Sequence, residues 1–193
     1  ASARPMPLVA PRNTTRMRRE PMRRAPARAR GPCAGAGARA MRTCVKIALC
    51  ADEPYPVHAA IERLLATLGH TAVRFGAFGG TIEVPWPEAA EAGALAVAAG
   101  TCDEGIFLCW TGTGISMAAN KLPGIRAALC TDAATAAGAR VWNHANVLCL
   151  SHRLLTDDLA QEILHAWFTT EPGERGRGGV DRLAEIDARY RRL

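Results

Sequence analysis

The chain has 193 residues, 49% of them hydrophobic, which suits one globular domain with a sizeable core and leaves no room for a second. Its formal charge of +6 belongs to residues 1–40, where ten arginines (Arg4, Arg12, Arg16, Arg18, Arg19, Arg23, Arg24, Arg28, Arg30 and Arg39) face one acid, Glu20. The rest carries 14 basic and 17 acidic side chains, which excludes a basic groove and with it nucleic acid as a partner of the domain.

Residues 1–40 also hold six of the twelve prolines and no apolar periodicity, so they cannot bury enough surface to offset the entropy of ordering. A disordered Arg/Pro/Ala-rich tail is expected there, with the domain spanning 41–193. The tail reads either as a transit peptide or, better given its prolines, as translated upstream sequence ahead of a functional start at Met41. A third use, adhesion to anionic surfaces or nucleic acid, would carry steep salt dependence. No run reaches the roughly 20 apolar residues of a membrane span, and no signal-peptide core appears, so a cytoplasmic protein without a membrane partner is expected.

From residue 45 onward, apolar runs at 45–51, 71–77, 105–110, 125–130 and 146–151 alternate with helical patterns at 56–68, 87–99, 114–121, 132–140 and 155–168. All but the second run are nearly continuous in hydrophobicity, as in strands buried on both faces. The alternation predicts βαβ units with right-handed crossovers. The fold class is therefore α/β: a three-layer, Rossmann-like parallel sheet of about five strands. A charged C-terminal helix follows over 179–192, and its weak stripe of Leu183 and Ile186 suits a partner subunit or solvent equally. Seven cysteines without a C-x-x-C pair argue against a disulfide framework and against a zinc site.

Ligands of open parallel sheets bind beyond the carboxyl ends of the strands. That rule selects Asp52 and Glu53, residues 109–116, Thr131 and Asp132, and residues 151–153. The richest segment is CWTGTGISMAANK, 109–121. A buried strand ends in Cys109, passes Gly112 and Gly114, and enters a helix whose free N–H groups would face an anion. A thiol there becomes a usable base or nucleophile, and the same amides could hold a developing oxyanion. A packing turn with a core cysteine explains the loop equally well. Met117 stands where the dinucleotide fingerprint needs a glycine, and Asn120-Lys121-Leu122 lacks the Gly-Lys-Ser/Thr of a phosphate loop. Both observations count against nicotinamide and nucleoside triphosphate chemistry.

The stretches VKIALCAD (45–52), CDEGIFLCWTGTGISMAANKLPGIRAALCTD (102–132) and NHANVLCLSHR (143–153) resemble, in this order, the ribose-5-phosphate isomerase B family. That family includes the galactose-6-phosphate isomerase subunits, and the likeness spans about residues 44–182. The resemblance implies aldose–ketose isomerisation of a sugar phosphate, a ribose 5-phosphate-like pentose or a hexose 6-phosphate, through a cis-enediolate and with neither cofactor nor metal. It implies that Cys109 is the base and that Thr111, with the amides from Trp110 through Gly112 and Gly114 to Ser116, forms the anion hole. Asp52 would contact sugar hydroxyls, and Asn143 would be supplied across a dimer interface. Arg153 and Arg182 would hold the phosphate by bidentate pairing, and Arg177 lies one residue out of register with a further phosphate-binding arginine. A homodimer or dimer of dimers with shared active sites follows from the same likeness.

Four positions depart from the family pattern. Glu53 replaces a phosphate-binding histidine, Trp142 the ring-opening histidine, Trp110 the first glycine of the loop, and Trp86 a tyrosine. The three tryptophans suggest an aromatic platform for a sugar ring, with plain packing as the alternative. His144 is a candidate substitute for the lost ring-opening histidine. His58, His70, His152 and His165 have no carboxylate or cysteine at ligand spacing and read as structural or exposed, although His152, beside Arg153, is within reach of the cleft. The competing function is a non-catalytic sugar or sugar-phosphate binding protein that kept the pocket and lost ring opening.

Overall fold

The computed structural model describes residues 44–190, so the tail expected over 1–40 lies outside the described residues. The elements alternate as expected: β1 (Lys46–Ala51), α1 (Val57–Thr67), β2 (Thr71–Gly76), α2 (Trp86–Ala98), β3 (Glu104–Cys109), α3 (Thr113–Ala119), β4 (Ala127–Leu129), α4 (Ala133–Asn143), β5 (Val147–Ser151) and α5 (Asp157–Thr169). A single 3-10 turn (Glu174–Gly176) leads into α6 (Arg177–Tyr190). All five strands pair in parallel, in the order β2-β1-β3-β5-β4.

Strand alternation divides the core into two layers. Ile47, Leu49, Ile106, Leu108, Leu148 and Leu150 pack with Ile61, Leu65, Ile163 and Trp167 of α1 and α5. Ala48, Cys50, Phe107, Cys109, Val147 and Cys149 pack on the other face with Ala90, Ala94 and Ile115 of α2 and α3. The second layer is thin because the Phe107 ring lies over two glycines: a Cβ at Gly93 or Gly105 would come within 2.8 or 2.6 Å of it.

Two helix starts are legible in their caps. The Asp132 carboxylate accepts the Thr135 amide at 2.7 Å and the Thr156 hydroxyl accepts that of Leu159 at 3.2 Å. Asp157 and Asp158 then favour the positive end of α5.

Three boundaries differ from expectation. β4 covers three residues of the 125–130 run, because the Asn120 side-chain amide both donates to and accepts from the Ala127 backbone at 2.8 Å, doing the work of a ladder. The Asn146 side chain likewise accepts the Arg126 amide at 2.8 Å. α4 continues past 140 to Asn143, so Trp142 and Asn143 are helical and not in a loop. α6 begins at Arg177, two residues early, and none of its residues is buried. Among the described residues, no helix is long and apolar enough to cross a membrane.

At the amino-terminal edge of the sheet, Glu104 of β3 pairs with Arg140 of α4 at 2.9 Å and accepts the Trp167 indole N–H of α5 at 2.8 Å. The Arg140 guanidinium lies 4.9 Å from the centre of the Trp167 ring and also donates to the Ala145 carbonyl at 2.8 Å. Both charges are mostly buried, so removing one strands the other. Glu104→Ala is therefore expected to destabilise the fold by about 3–5 kcal/mol, read from urea-unfolding midpoints.

Candidate active site

The strand order places the point where the chain reverses its winding between β1 and β3. There the crossovers leave in opposite directions and open a crevice beyond the strand ends. Ala51 pairs with Leu108, so the next residues, Asp52 and Cys109, stand side by side at that crevice. Asp52 and Cys109 are thus brought together by register, as the carboxyl-end rule anticipated.

Hydrogen bonding continues past the ends of β3 and β5. The Cys109 carbonyl accepts the amides of His152 at 3.0 Å and Gly112 at 3.3 Å. The Trp110 carbonyl accepts the Arg153 amide at 3.1 Å and the Ser151 hydroxyl at 2.8 Å. Gly112 sits at φ +73°, where a Cβ would lie 2.5 Å from Leu129 and 2.9 Å from the Leu150 carbonyl oxygen, so only glycine fits. Gly114 makes room for the Trp86 indole, 3.1 Å from where its Cβ would be.

These contacts narrow the expected anion hole. The Gly112 amide turns back to Cys109, the Thr113 amide to the Thr111 hydroxyl, and the Ser116 amide and hydroxyl to the carbonyls of Gly112 and Thr113. Ser116 and Gly112 therefore shape the loop, while Gly114 and Ile115 carry the amides that no carbonyl of α3 can reach. Thr111 and Thr113 share a hydroxyl–hydroxyl hydrogen bond that orients both at the loop surface.

Beside this loop lies an acidic pole backed by two buried histidines. His152 Nδ1 is 4.0 Å from Asp52 Oδ1 and 3.8 Å from Glu53 Oε1. His152 Nε2 meets His58 Nε2 at 2.9 Å, and His58 Nδ1 accepts the Gly79 amide at 3.4 Å. With that nitrogen an acceptor, neutral His58 donates from Nε2, and His152 must keep its proton on Nδ1, facing the carboxylates. Tyr55 stacks on His152, with centroids 4.4 Å apart, and meets Trp110 edge-on at 6.3 Å. Burial holds the Asp52 carboxyl above its ordinary range, helped by the charges of Glu53 and Glu83. Burial pushes both histidines down to about 4, and for His152 the neighbouring His58 adds to the effect.

The reading of His152 as lacking a carboxylate at ligand spacing is thus corrected: Asp52 and Glu53 come from β1's end, 100 and 99 residues away in the chain. His58 and Tyr55 were missed as site residues. The available signal was His58's place on the α1 stripe with Ile61 and Leu65, where a buried polar ring needs a partner.

Within one chain the other expected residues divide by sheet end. Arg153, exposed, follows β5 at the crevice. Trp142 and Asn143 end α4, which runs back to the amino-terminal edge of the parallel sheet, away from Cys109. Gly176 packs against the Trp142 carbonyl, and α6 with Arg177 and Arg182 starts from that same corner. There Arg177 pairs with Glu174 at 3.0 Å and Arg182 with Glu185 at 2.6 Å. The three tryptophans therefore form no single platform in one chain: Trp86 and Trp110 border the loop, and Trp142 lies at the opposite edge. His144, the candidate substitute, caps α4 at φ +46° and bonds the Gly173 carbonyl at 2.8 Å, so its ring is committed to that corner.

The family described as Ribose/Galactose Isomerase matches residues 47–186. The chain belongs to this family. It is 32% identical over 145 residues to a putative sugar phosphate isomerase, YwlF, of Bacillus subtilis, covering 74% of this chain and 97% of that protein. Ribose-5-phosphate isomerase B of Clostridium thermocellum superposes with a TM-score of 0.71 at 39% identity, over 75% of this chain and 99% of the other. The Mycoplasma genitalium ribose-5-phosphate isomerase B, solved with bound ribulose-5-phosphate, gives 0.69 at 32% identity, over 74% and 96% of the two chains.

The histidine pair has a pH signature. Both rings are held near 4 when folded against 6.5 when free, so the unfolded chain binds more protons between these values and stability falls as pH drops from about 6.5 to 4. The first proton costs on the order of 3 kcal/mol at the lower end. The raised Asp52 contributes with the opposite sign, so the histidine effect is read as a difference. A chain carrying His152→Asn and His58→Asn is expected to show a flatter fall of urea-unfolding stability over this window than the wild type.

Proposed function

We propose that the protein is an aldose–ketose isomerase of sugar phosphates in which Cys109 is the base. The observation that carries this reading is the register pair at the crevice, Asp52 beside Cys109, next to a glycine loop with free amides in a member of this family. The Cys109 thiolate takes the proton from the carbon next to the carbonyl, and the C–H electron pair becomes the enediolate double bond. The hydroxyl proton of the neighbouring oxygen passes to the enediolate oxygen, and the same sulfur returns its proton to the former carbonyl carbon, so the carbonyl has moved by one carbon, nothing is oxidised overall and the thiolate is regenerated. The Gly114 and Ile115 amides and the Thr111 hydroxyl stabilise the charge on the enediolate oxygen. Asp52 receives sugar hydroxyls, and the indoles of Trp86 and Trp110 border the ring.

The substrate class is a pentose 5-phosphate or hexose 6-phosphate, in keeping with the relatives' named activities and the bound ribulose-5-phosphate of the Mycoplasma genitalium enzyme. Arg153 is the crevice's own phosphate ligand. A second copy of the chain supplies Trp142, Asn143, Arg177 and Arg182, because these lie at the far edge of their own sheet and α6 buries none of its residues. A homodimer with shared sites reconciles both facts. Glu53 favours one competing reading, a sugar-binding protein without turnover, because a carboxylate beside the crevice repels a phosphate dianion.

Cys109→Ala is expected to lower kcat at least about 100-fold while leaving circular dichroism unchanged. Solvent deuterium uptake at C2, followed over a panel of pentose and hexose phosphates, separates the readings: binding without exchange in the wild type favours the non-catalytic protein. For the shared site, mixing Cys109→Ala with Asn143→Ala chains should restore about a quarter of wild-type activity, since half of the dimers are mixed and each of these has one intact site. No recovery on mixing assigns Asn143 to its own chain or to no site.

A further inference from the structure

Asp52 has a task in the isomerisation, whereas Glu53 and the two histidines behind it have none there. Asp52 Oδ1 and His152 Nδ1 are buried and make no hydrogen bond among the described residues. The His152 side chain is fully buried and its unpartnered nitrogen points between two carboxylates. Burying such atoms without a partner costs free energy that a native site recovers through a ligand. Among the charges acting on Asp52, both Glu53 and Glu83 are acidic. The cluster therefore calls for positive charge.

We propose that Asp52, Glu53 and His152 form a binding site for a divalent transition-metal cation. One ligand atom from each lies within 4.8 Å of the others. A cation about 2.0–2.2 Å from its ligands fits between a nitrogen and oxygens at 3.8 and 4.0 Å. Two carboxylates and one imidazole suit manganese, iron or zinc better than magnesium, which prefers oxygen alone. Metal binding needs the Nδ1 lone pair, and the histidine pair can release it without losing a proton. His152 then carries its hydrogen on Nε2 and donates to His58, whose own hydrogen moves to Nδ1. This shift gives up the 3.4 Å bond from the Gly79 amide and turns that amide and the His58 Nδ1–H toward each other as two donors, a cost that the metal–nitrogen bond has to offset. His58 is thereby the partner that orients the metal-binding ring. The side of the cluster away from His152 is the crevice, where Glu53 keeps 29% of its side chain exposed and further coordination positions would meet hydroxyl or phosphate oxygens. Such a cation would also reverse the repulsion between Glu53 and a phosphate.

The inference stands apart from the isomerase reading, because its test measures binding and not turnover. Mn2+ is the probe: it favours oxygen and imidazole over the buried thiols, and its free-ion resonance in electron paramagnetic spectra disappears on binding. Titration of the full chain is expected to show one Mn2+ per chain, displaced by Zn2+. Asp52→Asn and Glu53→Gln should each weaken binding at least about tenfold, and His58→Gln by about 10- to 100-fold, with folding monitored by circular dichroism. Absence of saturable Mn2+ binding to the wild type overturns the proposal, as does binding that survives both folded carboxylate variants.

Discussion

The parallel pairing of β3 with β5, carried one step beyond each strand, is the constraint on which the crevice depends. Strands end where their ladders end, but here the carbonyls of Cys109 and Trp110 go on receiving donors from Ser151, His152 and Arg153. That extension fixes the direction in which the chain leaves β3 and forces the immediate turn at Gly112, which fits because it has no side chain. It also draws His152 under Tyr55 and against Asp52. The thiol, the loop amides, the acidic pole and Arg153 are thus held by main-chain bonds, which survive changes in the side chains around them.

Much of this was legible in the sequence because strands buried on both faces leave nearly continuous apolar runs, and β1, β3 and β5 stand within a residue of where such runs fall. The carboxyl-end rule then singled out Asp52, Cys109 and Arg153 without knowledge of strand order. What stayed hidden was set by pairing across long separations. Nothing local announces that residue 58 meets residue 152, or that Glu104, Arg140 and Trp167 close one buried network. The strand over 125–130 was legible but its shortening to three residues was not, for a related reason: a side-chain amide from Asn120 mimics a strand neighbour, and propensity has no measure of that.

The loop CWTGTGIS shows the limit from the other direction. Its glycines read as room for an anion, and the structure gives them different jobs: Gly112 accepts the sharp exit from β3, and Gly114 accepts the face of Trp86. Ser116, which looks like a ligand in sequence, spends its hydroxyl on Thr113. A motif identifies the segment that does the chemistry, whereas the hydrogen bonds decide which of its atoms are left to do it.

The sheet keeps its two kinds of polar chemistry at opposite edges. The buried ion pair of Glu104 and Arg140 ties strands to helices at the amino-terminal edge, and Asp52, Cys109, the glycine loop and Arg153 gather at the carboxyl edge, a full strand length away. Stability and reactivity are consequently written in separate residues. A change at Glu53 or Trp110 leaves untouched the Glu104–Arg140–Trp167 network that holds the protein together. A substitution at the crevice can therefore change what is held there while the buried network at the other edge stands unchanged.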